Sequence, residues 1–404
     1  MKQKLKQTEI GLIPKEWDVI KLGEVSDTYA GGTPLRSNKE YYGGNIRWVK
    51  SGEVNLGEIF DTEEKITESG LKNSSAKQIP ENTVLVAMYG ATAGKVGILR
   101  VKGTANQAVL AIPNNKGKFN YRFMYYLLSS KTNKLVNSTQ GTGQPNLSKF
   151  LVDNLEIQLP PINEQTSIAE VLSTVDARLD IVERESQRVE RLKVALMKEL
   201  FDGKKWPLVR MKDVCIINPS KKEISHLDEN SEVSFLPMAS ISEDGIIISK
   251  QAKLLKNANK GFTYFREGDV LIAKITPCFE NGKRALAKEL KHQIGFGTTE
   301  FHVLRSGEKV LPEWIFYVIS SSRFRKKGEQ SMVGSAGQKR VPIKFIEDYE
   351  IALPPLSEQR RVADILSTVD KKLSLQQSKK SKLEKIKKSL MNDLLTGKKR
   401  VKVT

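Results

Sequence analysis

The chain has 404 residues, 28% of them charged, and a formal net charge of +19. That length exceeds what one ordinary hydrophobic core organises, and the charge favours an acidic partner, nucleic acid being the commonest. The opening MKQKLKQTEI holds no secretory apolar core, and no apolar run reaches the roughly 18 residues of a membrane span. The only two cysteines, Cys215 and Cys278, are far apart and outside any metal-like spacing, and read as small buried hydrophobes of a reducing cytosol.

The first domain, residues 1–154, opens on WDVIKLGEV from Trp17. An apolar strand follows a turn at Thr83–Met88 (TVLVAM), then a strand at Ala108–Ile112, an aromatic-bearing helix at Tyr121–Ser129 and a glycine-polar loop from Gly141 (GTGQPNLSK). GATAGKV at Gly90–Val96 has its glycines one residue too close for a phosphate-binding loop, and no Ser or Thr follows its lysine. It reads as a turn between strands.

Residues 155–205 begin LEIQLPPINEQTSIAEVLSTVD and end in GKK. Pro160-Pro161 ends an extended segment, because the residue before proline is pushed out of the α region. Asn163 stands where an N-cap belongs. Ile168, Leu172, Val175, Leu179 and Val182, then Val189, Leu192, Leu196 and Leu200, follow a 4-3 spacing that predicts a coiled-coil-like helix of roughly 36 residues, about 50 Å long. Gly203 is placed to stop it.

A second domain, residues 206–348, repeats the frame of the first. WPLVRMKDV from Trp206 is followed by DVLIAK at Asp269–Lys274, a strand at Phe301–Leu304, a helix at Pro312–Ser321 and GSAGQKRVP from Gly334. Residues 349–404 then repeat the helical block: Tyr349–Lys399 aligns with Leu155–Lys205 without a gap at an offset of 194, with 22 identities in 51 positions. Ser357 matches Asn163, and Gly397 matches Gly203. The seam here is Val362, Leu366, Val369, Leu373, Leu383, Ile386, Leu390 and Leu394, interrupted by the polar stretch Gln376–Lys382. Leu155–Lys205 carries net −2 and Tyr349–Thr404 net +8, which favours pairing of the two helices with each other, most simply antiparallel. The fold class is therefore mixed α/β: two globular α/β domains joined by two long helices that pair as an antiparallel coiled coil, an internal pseudo-two-fold repeat.

Catalytic signatures are missing. Asn218-Pro219-Ser220 is not the Asn-Pro-Pro-aromatic motif of adenine methyltransferases, and His226, His292 and His302 have no partner spacing for zinc or a triad. The residues suited to binding lie in loops. In the second domain Lys274, Thr276, Asn281 and Lys283 follow the DVLIAK strand, and Gln338, Lys339 and Arg340 lie in GSAGQKRVP. Both loops concentrate base-capable donors beside glycines, which let backbone approach a DNA groove. The matching stretches of the first domain offer Thr92 and Lys95, then Gln144 and Asn146, with Lys50 a further candidate. Glu164, Gln165, Glu358 and Gln359 recur in both copies, either as two docking sites for one partner or as residues that start the helices. A DNA methyltransferase or nuclease with an unrecognised site, or a coiled-coil protein adaptor, are the alternatives to a non-catalytic DNA reader.

EIGLIPKEW at Glu9–Trp17, the twin LPP…EQ…LSTVD helices, KITPCFENGK, GFGTTEFHVLR and GSAGQKRVP together resemble the DNA-specificity (S) subunit of Type I restriction-modification systems, over essentially the whole chain. The resemblance implies that each domain is a target-recognition domain reading one half of a split DNA site, with the paired helices as a ruler. It implies two adenine-methylating modification subunits as partners, with restriction subunits recruited through the complex. It places S-adenosylmethionine with the modification subunits and ATP and Mg with the restriction subunit, leaving this chain without a cofactor. A cytoplasmic location follows.

Overall fold

The computed structural model describes residues 4–138, 146–202, 206–335 and 337–401. Four helices organise it: α1 (Tyr121–Ser138), α2 (Ile162–Asp202), α3 (Pro312–Ser320) and α4 (Leu356–Leu395). The chain forms two compact units. One comprises residues 1–184 with 378–404, the other residues 185–377, so each long helix contributes one half to each unit.

In the first unit a five-stranded sheet runs in the order Tyr29–Ala30, Val109–Ile112, Thr83–Ala87, Val96–Leu99, Glu58–Ile59. Its three central strands are buried at every position, and apolar at all but Thr83, because both faces are covered. Side chains alternate across the sheet with period two. Val84, Val86, Leu110 and Ile112 pack with Phe123, Met124 and Leu127 of α1 and with Ile168 and Leu172 of α2. Leu85, Ala87, Val109 and Ala111 fill the core on the opposite face. GATAGKV is the turn between antiparallel strands that its spacing predicts.

The second unit repeats this frame. Cys215–Ile217, Phe301–Ser306, Val270–Ala273 and Arg284–Leu286 stand in the same order as the first four strands above. Val270, Ile272 and Leu304 face α3 and α4, while Leu271 and Val303 face the other core. The helix predicted at Tyr121–Ser129 continues to Ser138, and a further helix, Ser322–Ser331, was not legible in its polar sequence. A two-stranded sheet recurs in both units, Asp18–Lys21 with Glu156–Leu159 and Leu208–Arg210 with Glu350–Ala352, whereas the other larger sheet has three strands in the first unit and four in the second. Cys215 is buried, which pushes its thiol up to about 12, whereas Cys278 is only half-buried.

The long helices are longer than expected, at 41 and 40 residues. Gln165 N donates to the Pro161 carbonyl, and Glu358 N and Gln359 N both donate to the Pro355 carbonyl, all at 3.0 Å. The prolines are therefore the N-caps, and Asn163 and Ser357 fall inside the first turn. Gly397 ends α4 with φ +69, and a Cβ there would stand 2.5 Å from Cδ of Pro14. Gly203 lies outside the described residues.

Within each unit the helix halves run antiparallel. In the first, Lys387 reaches Asp176 at 2.6 Å and Lys380 reaches Glu183 at 2.5 Å. In the second, Lys193 reaches Asp370 at 2.6 Å, and Gln376 donates to Glu185 at 2.7 Å. The 4-3 spacing thus passes through Lys193, Gln376, Lys380 and Lys387. Leu192 and Ile386, expected in the seam, are 51% and 49% exposed. The polar stretch of α4 continues the seam with groups that find partners across it.

Candidate nucleic-acid interface

Backbone bonds join the two loop segments singled out in each domain, in the first at the described end of its second loop, Asn146–Leu147. In the second, Ile275 bridges Arg340, Thr276 N donates to the Lys339 carbonyl at 3.0 Å, and Val341 N donates to the Lys274 carbonyl at 2.8 Å. In the first, Tyr89 bridges Asn146, and Leu147 N donates to the Met88 carbonyl at 2.8 Å. The strand that ends at Ala87 or Ala273 therefore runs into a loop stitched by the same backbone bond to the segment returning to the long helix. The stitch is common to both domains while the side chains differ, an arrangement suited to reading different targets.

In the second domain Gln338 and Lys339 are exposed. Arg340 makes a two-pronged pair with Glu300, at 3.0 Å from Nε and 2.9 Å from Nη2, which holds the glutamate below the usual carboxylate range. Thr276 donates to Glu280 and Asn281 to Glu243, both at 2.8 Å, and Lys283 donates to the Met238 carbonyl at 3.2 Å. Lys274 is half-buried and lines a cavity of about 260 Å³ with Asn218, Lys221, Thr263, Tyr264 and Phe301. In the first domain Lys95 and Asn146 are exposed and Thr92 half-buried. Gln144 lies outside the described residues. Lys50 stands apart from the paired loops, at the end of strand Tyr42–Val49 in another sheet. Its ammonium is taken up by Glu63 at 2.7 Å and Glu64 at 3.3 Å.

Sequence reasoning missed the acidic partners, Glu243, Glu280 and Glu300. No periodicity marks them; Glu243 and Glu300 meet their donors from 38 and 40 residues away, Glu280 from four within the same loop. Carboxylates among donors suit a site facing base edges, because a carboxylate accepts from the cytosine amino group while Arg and Lys donate to guanine. Arg284 was also missed. Buried at the base of the second-domain loop, it donates to the carbonyls of Gly282 at 2.8 Å and Glu243 at 3.2 Å, and burial lowers its pKa to about 10. His302 lies behind the loop with Nε2 at 2.9 Å from the Val341 carbonyl, which only accepts, so Nε2 carries the proton. Burial lowers its pKa and favours the neutral ring.

The recurrent Glu-Gln pairs face mostly inward. Gln165 accepts from Asn120 N at 2.8 Å and donates to the Pro160 and Lys118 carbonyls at 2.8 and 3.4 Å. Gln359 does the same with Leu311 N, Pro354 and Lys309, at 2.8, 2.8 and 3.0 Å. Glu164 is 1% exposed, accepts from Trp17 Nε1 at 2.9 Å and pairs with Arg400. Glu358 is half-buried and pairs with Arg361 at 2.7 Å. Three of the four are thus clamps inside the fold rather than open docking surface. Among the described residues no group of three or more His, Cys, Asp or Glu is placed to hold a metal ion, and no helix is long and apolar enough to cross a membrane.

Two α/β domains of one frame, each carrying a loop pair rich in base-capable donors, define a two-domain recognition protein built by duplication. Residues 14–191 and 203–385 each match the Type I restriction modification DNA specificity domain, and the chain belongs to that family. The family is that of specificity subunits, the non-catalytic components of restriction-modification systems. It is 43% identical over 173 residues to the Type I restriction enzyme EcoEI specificity subunit of Escherichia coli, a match covering 42% of this chain and 28% of the relative. It is 25% identical to the MjaVIII specificity subunit of Methanocaldococcus jannaschii, over 96% of this chain and 94% of that one. Its fold is similar to the crystal structure of a Type I S subunit from M. genitalium, with a TM-score of 0.62, 16% identity and the whole of both chains covered.

Proposed function

We propose that this chain is the DNA-reading subunit of a Type I restriction-modification complex, each domain reading one half of a bipartite, gapped target. The observation that carries the reading is the duplicated stitch, Met88–Leu147 and Lys274–Val341, which presents two different sets of side chains on one backbone frame. The paired helices act as the ruler between half-sites. Methyl transfer falls to two modification subunits that bind S-adenosylmethionine, and cleavage to restriction subunits that use ATP and Mg. The chain works in the cytoplasm.

Docking of the modification subunits falls to the outer faces of the helices and the surface beside each Pro-Pro turn. Ile162 and Leu356 are 48% and 42% exposed at equivalent positions there. Beside Leu356 a largely apolar cleft of about 490 Å³ is lined by Trp206, Pro207, Leu353, Pro354 and Pro355. Gln165 and Gln359 shape that surface from within.

Binding of the reconstituted complex to single-base variants of its site tests the reading. Replacing Gln338 and Arg340 with alanine relaxes one or more positions of the second half-site, by about 1–3 kcal/mol for each lost two-pronged contact. A phosphate contact instead weakens all sequences alike and lowers the salt slope. Unchanged discrimination throughout the second half-site removes these two residues from the role.

A further inference from the structure

The aspartate of the repeated LSTVD motif has the same three-way contact in both copies. In the first unit Asp176 on α2 takes Lys387 of α4 on Oδ1 at 2.6 Å and the hydroxyl of Tyr126, on α1, on Oδ2 at 2.7 Å. In the second, Asp370 on α4 takes Lys193 of α2 on Oδ1 at 2.6 Å and Tyr317, on α3, on Oδ2 at 3.0 Å. Each carboxylate thus joins its own long helix, the opposite long helix and the helix of the recognition domain. Both tyrosines are 4% exposed, and burial beside a carboxylate raises their pKa, so each hydroxyl stays a donor.

A second latch lies 11 residues earlier on each long helix. Gln165 holds Asn120 at the start of α1, and Gln359 holds Leu311 at the start of α3. In both copies the domain latches are six residues apart: Asn120 and Tyr126, Leu311 and Tyr317. One latch leaves a domain free to pivot, whereas two, about 16 Å apart along the long helix, fix its angle. The lysine adds register, because a seam of repeated apolar residues tolerates sliding that a polar contact at one level does not.

We propose that Asp176 and Asp370 are positioning residues that lock each recognition domain to the paired helices and so set how strictly the gap between half-sites is enforced. The inference rests on the reading above. Neither aspartate need touch DNA or a reacting group.

The test uses the reconstituted complex with its modification subunits. Methylation is measured on the native target and on targets with the gap lengthened or shortened by one base pair. Tyr126→Phe removes only a hydroxyl, and Lys387→Met only a charge. Each is expected to reduce the preference for the native gap at least tenfold while base discrimination within each half-site stays unchanged. A merely stabilising contact lowers the rate on every target by the same factor and leaves the preference intact, which overturns the proposal. Tyr317→Phe and Lys193→Met repeat the measurement on the other domain should a first-domain variant fail to assemble. A wild-type complex without any gap preference contradicts the functional reading itself, a distinct outcome.

Discussion

Gln165 and Gln359 show how a single side chain fastens a long helix to its domain. Each satisfies one backbone N–H and one carbonyl of a segment 45 to 50 residues away, and a second carbonyl five residues before it. Leaving such buried groups unpaired costs about 1–3 kcal/mol per group. Gln165→Ala and Gln359→Ala should each lower unfolding free energy by about 2–4 kcal/mol in urea titrations, against little change for Thr174→Ala on the exposed side of α2. Recurrence of these residues was legible in the sequence, but its cause was not, since spacing does not tell whether a polar side chain points inward or to a partner. Loops were legible where donors cluster beside glycines; their carboxylate partners were not, because Glu300 and Arg340 lie 40 residues apart. His302 supplies a pH dependence. Its ring faces Asn218, the Val341 carbonyl, Lys274 and Glu300, and its folded pKa lies below the ordinary value. As pH falls past about 6.5 the unfolded chain takes up the proton first. The contribution is thus present above that pH and lost as pH falls through the folded value. Denaturation midpoints at pH 7.5 and 5.5 should differ more for the wild type than for His302→Gln, whose amide N–H donates to Val341 without titrating.

At the scale of elements, the long helices were legible from period and the domain sheets only in part. TVLVAM and DVLIAK announce buried strands because both faces of their sheets are covered. The short strands of the second sheets, such as Lys65–Ile66 and Thr104–Ala105, carry no period at all. Reading the seam from apolar residues alone selected Leu192 and Ile386, one place before the lysines that occupy it. A lysine packs its stem along a seam and sends its charge to a carboxylate across it. Removing a core leucine should therefore matter far more than removing these exposed ones. Leu172→Ala and Leu366→Ala, both fully buried, should cost about 2–5 kcal/mol. Leu192→Ala and Ile386→Ala should stay within about 0.5 kcal/mol. Thermal unfolding of the four variants distinguishes the two seams; equal losses at all four restore the apolar one.

For the whole molecule, blocks of sequence similarity and compact units divide the chain differently. Similarity separates residues 155–205 and 349–404 as helical blocks, whereas packing shares each helix between two units. The end of the chain belongs to the first unit, where Arg400 pairs with Glu164 and Glu16 and Gln158 donates to the Leu395 carbonyl at 2.7 Å. Contacts that join residues more than 200 places apart leave no local signature. The central claim is that two domains of one frame read two different half-sites. Sequencing that detects methylated adenines, applied to DNA treated with the reconstituted complex, tests it most directly. The account predicts one motif with two specified halves around a fixed unspecified gap, and a change confined to one half when the second-domain loops are altered. A continuous motif, or changes in both halves from altering one domain, would contradict it.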